Sequence, residues 1–392
     1  MDQGAISVGF ATKDTLQGGP PTTDMTYVMP EAETAICFAI PLDKTKIRSY
    51  LKKDLPRGKM DHIIETGDGY LKTYIVAKNS VDFLEKKGFK SAPVLPNSRY
   101  REELDNWRVL VSPPLALRLV AARSGVGVFG WSGNILVKDY GAPVLLGALV
   151  TSAILKPTEP IPPEESPCDN CKLCVKVCAY RMFDNEKEDS YTLGGEKLTF
   201  SKRNDIVRCY IVCGGFTGLD KTKQWSTWSP GRTPFPKSQE EVNKTLAHLY
   251  SHPIENMRLK GEEGSYAEST LKNSEEVQDY INASETTRTT YTDNFIMTCG
   301  NCQLICWGNH EDTAENYKLL VNSGCVITNE KGENVILPPD EAEKVEQAVK
   351  ALNRKERTSE RRQALEKYVF DLYQRLRSEQ HDGKSGSGTN LN

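Results

Sequence analysis

Cys168-Asp169-Asn170-Cys171-Lys172-Leu173-Cys174-Val175-Lys176-Val177-Cys178 sets four thiols at spacings of two, two and three residues. A second run, Cys299-Gly300-Asn301-Cys302-Gln303-Leu304-Ile305-Cys306, follows much later, with Arg208-Cys209-Tyr210 between them. In such runs the first three thiolates hold one iron–sulfur cluster and the fourth reaches across to a neighbour, so two 4Fe-4S clusters draw on eight thiolates in two interleaved sets. This reading assigns Cys168, Cys171, Cys174 and Cys306 to one cluster, and Cys178, Cys209, Cys299 and Cys302 to the other. Cys213, four residues after Cys209, is the alternative eighth ligand. Zinc needs only four thiolates per ion and usually takes separated C-x2-C knuckles, so a triple run exceeds its need. Ala179 and Trp307 stand where such runs normally carry proline, which alters the turn and leaves the ligand count intact. Cys37 and Cys325 sit in apolar runs and read as buried, inert thiols.

The 392-residue chain is long enough for two domains with appendages. Its net charge of −3 gives no general argument for nucleic acid or an acidic membrane. Cysteines grouped as metal ligands point to a reducing compartment. No export signal is visible at the N-terminus, and the longest apolar stretch, Val144 to Leu155, is too short to span a bilayer. A cytoplasmic protein is expected.

The segment Lys156-Pro157-Thr158-Glu159-Pro160-Ile161-Pro162-Pro163 is stiff and separates a mixed α/β region from the cysteine-bearing region. Before it, Ala35 to Leu42 reads as a buried strand. Ile63, Tyr70, Leu71, Tyr74, Ile75, Phe83 and Leu84 form a helical stripe that Gly88 ends. Ser112 and Pro113 are set to start another helix and Gly125 to close it. Asn134 to Lys138 and Val144 to Leu155 read as strands of a hairpin turning at Tyr140-Gly141-Ala142-Pro143. Between helix and hairpin, Gly125-Val126-Gly127-Val128-Phe129-Gly130-Trp131-Ser132-Gly133-Asn134 offers backbone that can approach a bulky ligand, or a tight structural turn. A dinucleotide fingerprint needs strand, glycines, then helix; the order here is the reverse.

Taken in order, the glycine loop, the strands with Gly141 and Leu146-Gly147, the proline segment and both cysteine runs resemble the corrinoid-dependent iron–sulfur reductases, namely epoxyqueuosine reductase and the reductive dehalogenases. The resemblance spans roughly residues 30–320. Arg208-Cys209-Tyr210 and the 299–306 run look most like the first, whereas Gly127 to Gly133 and Pro157-Thr158-Glu159-Pro160 look more like the second. It implies an α+β fold: a nitroreductase-like cobalamin-binding α/β domain (1–160), a ferredoxin-like domain with two 4Fe-4S clusters (161–337, insertion 214–298), a helical extension (338–380) and a flexible tail (381–392). Gly125, Gly127, Gly130, Trp131, Ser132, Gly133, Asn134 and Gly141 would face the corrinoid. The implied activity carries electrons from a low-potential donor such as ferredoxin or flavodoxin, through both clusters, to cobalt and then to a small organic substrate. A protein that reduces the corrinoid of a separate partner is the alternative. Nucleic acid is not expected as a partner.

Two departures bear on substrate. Epoxyqueuosine reductases carry an acidic residue just before the Ser-x-Pro that leads to the glycine loop; Val111 stands there and cannot donate a proton. The repeat-type helical extension of that enzyme is also not seen. Dehalogenases pair a tyrosine with a basic residue, and Tyr100, Tyr191 and Tyr210 lie near the motifs, though each reads first as a packing residue. No catalytic residue is assigned. The five histidines, His62, His248, His252, His310 and His381, form no evident ligand set. Trp225 to Arg232 could cover a cofactor or pack as a surface insertion.

Overall fold

The computed structural model describes residues 1–54, 58–94, 100–104, 112–178, 181–204, 209, 238, 240, 300–328, 334–338, 341 and 344. The N-terminal half contains β1 (Ser7–Thr12), α1 (Lys13–Leu16), β2 (Thr34–Pro41), α2 (Lys44–Lys52), α3 (Gly58–Lys86) and β3 (Ser91–Val94), then α4 (Leu117–Arg123), β4 (Val128–Phe129), β5 (Ile135–Leu136) and β6 (Val144–Thr151). The cysteine-bearing half contains α5 (Leu173–Lys176), β7 (Phe183–Leu193), β8 (Glu196–Arg203), α6 (Asn301–Leu304), α7 (His310–Asn322), β9 (Cys325–Thr328) and β10 (Asn334–Leu337).

Four strands form an antiparallel sheet in the order β1-β2-β6-β3. The inner strands β2 and β6 are almost continuously apolar because helices cover both faces, so neither face needs a polar set of side chains. Phe38, Ile40 and Leu149 pack with Val76, Ala77 and Val81 of α3, while Cys37, Ala39, Ala148 and Val150 pack with Val120 and Ala121 of α4. Gly147 leaves room for the Phe38 ring, which a Cβ there would meet at 2.5 Å. Helix α3 ends where Gly88 adopts φ +86°, with the Phe89 N–H donating to the Leu84 carbonyl at 3.1 Å.

Three local expectations change. Ser112 and Pro113 do not start α4, which begins at Leu117 after Ala116, although Gly125 closes it as expected with φ +69°. The Tyr140–Pro143 turn forms, closed by a bridge between Val137 and Gly141, but it does not join a hairpin. Both edges of β6 are already taken by β2 and β3, so β5 pairs instead with β4. Ile75 and Phe83 lie on the outer side of α3, at 37% and 60% exposure, because only one side of the stripe meets the sheet.

The proline segment is tied down at Thr158. Thr158 exchanges hydrogen bonds with Phe10 on β1, and its hydroxyl also donates to the Ser124 carbonyl. The two halves share one core, in which Leu42, Ile47, Leu51 and Leu145 pack with Leu173, Val177, Ile305, Trp307 and Leu320. A long hairpin, β7 and β8, turns at Gly194-Gly195, both with positive φ, as a tight two-residue turn requires. Its tip reaches back to the N-terminal half, where Leu193 is fully buried and Arg123 Nε donates to the Leu193 carbonyl at 3.1 Å. Among the described residues no helix is long and apolar enough to cross a membrane.

Candidate iron–sulfur and cofactor site

Cys168, Cys171, Cys174 and Cys306 line one pocket. Asn170 and Lys172, both with φ 57°, curl the chain so that three thiols separated by two residues can converge, and α5 then carries Cys174 inward. The Cys171 N–H donates to Asp169 at 3.0 Å, which braces the loop. Burial pushes the Cys174 and Cys306 thiols up to about 12, and the neighbouring sulfurs act in the same direction. Such thiols ionise readily only beside a metal, whose positive charge reverses the cost.

Among the described residues no three cysteine sulfurs come within 4.8 Å of each other; the trio that does so is Asp169, Cys171 and His310. Four thiols sharing one pocket are a ligand number that one zinc ion or one 4Fe-4S cluster can take. His310 also pairs with Asp169 at 3.1 Å, a contact that spacing along the chain did not signal.

Of the second set, Cys178 accepts the Met182 N–H at 3.4 Å, and Cys302, on α6, accepts the Asn134 side-chain amide at 3.5 Å. Arg203 at the end of β8 lies within electrostatic reach of both Cys302 and Cys209. Burial, helped by nearby Arg118, pushes its guanidinium down to about 10. Cys299 and Cys213 lie outside the described residues, as do Val111, Tyr210, Trp225–Arg232, His248, His252, His381 and the 345–392 segment.

The glycine loop meets both cysteine sets, and each of its glycines abuts protein. A Cβ at Gly125 would strike the Glu159 carbonyl at 2.3 Å, at Gly127 the Leu136 carbonyl at 2.5 Å, at Gly130 the Leu136 side chain at 2.5 Å and at Gly133 the Arg203 guanidinium at 2.7 Å. Trp131 donates its indole N–H to the Asp184 carbonyl at 2.9 Å, and Lys172 Nζ sits 4.1 Å from its ring centroid. The buried Ser132 hydroxyl accepts the Asn134 N–H at 3.4 Å. Gly141, at φ +78°, lies against the second run itself: a Cβ would fall 2.4 Å from the Cys306 carbonyl and from Trp307 Cα, and the Ala142 N–H donates to that carbonyl at 2.8 Å. Trp307, in the place of the usual proline, is buried, with Lys44 and Arg48 within 4.8 Å and 4.7 Å of its ring centroid. The hairpin that supplies Asp184, Phe200 and Arg203 was not found by sequence reading, although Gly194-Gly195 between charged, alternating strands was its signal. Tyr191 is exposed and stacks on Phe200, and Tyr100 offers its carbonyl to the Tyr27 hydroxyl.

No family model matches the chain. Curated proteins do: the epoxyqueuosine reductase of Atelocyanobacterium thalassa is 24% identical over 180 residues, 45% of this chain and 51% of that one. That of Listeria monocytogenes is 26% identical over 155 residues, 40% and 36% of the two chains, and that of a Synechococcus strain 36% over 73 residues, 18% and 22%. Part of this chain is similar to epoxyqueuosine reductases. It spans about half the length of the first of these relatives and less of the others. Their named activity is an oxidoreductase reaction. Similar solved structures are a reductive dehalogenase described with B12-dependent dehalogenation (TM-score 0.40, 12% identity, 65% and 34% of the two chains) and an epoxyqueuosine reductase with a tRNA stem loop (0.37, 15%, 95% and 96%).

Proposed function

We propose that this chain is a corrinoid-dependent iron–sulfur reductase that moves electrons through two 4Fe-4S clusters to cobalt and on to a small organic substrate. The observation that carries the reading is the convergence of Cys168, Cys171, Cys174 and Cys306, drawn from runs far apart in sequence, on one pocket. In this reading these four residues hold one cluster, and Cys178, Cys209, Cys299 and Cys302 hold the other. The corrinoid supplies the cobalt redox chemistry, and the protein supplies binding, orientation and exclusion of water. The domain limits given above, and a ferredoxin- or flavodoxin-type electron donor, belong to the same proposal.

The second reading is a protein that reduces the corrinoid of a separate partner. Anaerobic reconstitution with iron, sulfide and cobalamin, followed by metal analysis, separates the two. About eight irons per chain are expected for two cubanes. Tightly held cobalt in equal stoichiometry with protein supports the reductase, and full iron without cobalt supports the electron carrier. Zinc without acid-labile sulfide would exclude both.

A further inference from the structure

The cysteines of the second set do not sit in a neutral wall. Asn134 turns its side-chain amide onto the Cys302 sulfur at 3.5 Å, and its own backbone N–H is held by Ser132. On the same side, Arg203 is clamped by the Ser132 carbonyl at 3.2 Å and the Gly133 carbonyl at 3.5 Å, with its guanidinium 5.8 Å from the Phe200 ring centroid. The buried Arg203 Nε has no hydrogen-bond partner among the described residues. Arg118 donates to the same Gly133 carbonyl at 3.3 Å, so two cations converge on one peptide. Crowding like charges and leaving a buried donor unmatched both cost stability, unless a negatively charged acceptor belongs beside them.

We propose that Asn134 and Arg203 raise the reduction potential of the second cluster, the amide by donating to the Cys302 thiolate and the guanidinium by placing a fixed positive charge on the Ser132–Asn134 turn that carries that amide. The inference rests on the two-cluster reading above. Reduction adds one electron from an external low-potential reductant to a group already negative with its thiolates; no bond breaks and no proton moves. A donor to sulfur and a buried cation stabilise that extra charge, so both favour the reduced form. The glycine loop then acts as the mount for these two side chains, since Gly133 leaves the space that Arg203 fills.

The test is a dithionite redox titration of the reconstituted full chain, followed by electron paramagnetic resonance, for the wild type, Asn134→Leu, Arg203→Gln and Arg203→Lys. Asn134→Leu and Arg203→Gln are each expected to shift the reduction equilibrium of one cluster about tenfold toward the oxidised form, 59 mV for one electron, while the other cluster keeps its potential. Arg203→Lys, which keeps the charge, is expected to recover much of the shift. Unchanged potentials at full iron content, or equal shifts in both clusters, would overturn the proposal. Loss of iron from all three variants would also overturn it, because the residues would then hold the group and not tune it. A wild-type protein with only one cluster signal would instead remove the two-cluster reading on which the inference stands.

Discussion

Gly141 and Gly88 separate two costs that sequence alone merges. Both have strongly positive φ, +78° and +86°, but only at Gly141 would a Cβ meet protein, whereas nothing lies within 4 Å at Gly88. Gly88→Ala is expected to cost about 1 kcal/mol, the ordinary penalty for a left-handed L-residue. Gly141→Ala adds a collision with Cys306 and Trp307 backbone and is expected to cost at least twice as much, about 2 kcal/mol or more, with loss of iron on reconstitution. Denaturant midpoints and iron content of the two variants measure the difference. His62 supplies a pH test. It is buried, its ring 4.5 Å from Tyr50, and burial pushes it down to about 4 from an ordinary 6.5. The unfolded chain takes up a proton that the fold refuses, so this residue's contribution is complete above about pH 6.5 and lost as pH falls toward 4, about 3 kcal/mol in all. His62→Leu should therefore flatten the decline in unfolding free energy between about pH 7 and about pH 4.5. An unchanged decline would show that His62 is not its source.

Among the elements, the β7–β8 hairpin is the one that sequence reading missed, and the reason is physical. Most of its outward residues are charged, giving it no apolar stripe, and its attachment depends on Leu193, Phe200 and the aromatic pair with Phe129, whose ring centroid is 5.2 Å from that of Phe200. Leu193→Ala should cost about 2–5 kcal/mol, as for other fully buried leucines. If it does not, and thermal unfolding is unaltered, the tip is not anchored as described. By contrast β2, α3 and β6 were legible because their apolar patterns are long. The misread hairpin at 134–155 shows the limit of such patterns: a strand's appearance in sequence does not say which edge its neighbours have already occupied. Spacing grouped Cys168, Cys171 and Cys174 with the distant Cys306, and these four line one pocket, whereas the contact of Asn134 with Cys302, the place of Arg203 and the Asp169–His310 pair arise only through tertiary packing.

At the level of the whole molecule, substrate choice is where the relatives and this chain's residues pull apart. The relatives are named for epoxyqueuosine, and this chain spans about half of the first of them and less of the others. The argument against that substrate is Val111, in place of an acid whose proton transfer is typically worth about 100- to 10,000-fold in rate. The reconstituted protein is expected to leave epoxyqueuosine in tRNA unconverted under low-potential reductant, as read by nucleoside analysis. Queuosine formed at the rate of an established epoxyqueuosine reductase would show that another group donates the proton.

The contact between Gly141 and Cys306 has a kinetic consequence. Gln303, three residues before Cys306, donates to the Val144 carbonyl across 159 positions of sequence, so the pocket of Cys168, Cys171 and Cys174 stays without its fourth wall until a very long loop has closed. The entropy of that closure grows only with the logarithm of loop length, and it is lost before the long-range contacts can offset it. On a ribosome delivering the N-terminal half first, the sheet and the first three cysteines emerge well before their completing partner. Three thiols would then wait, exposed to oxygen and stray metal, which makes the order of synthesis itself a hazard that metal delivery must outpace.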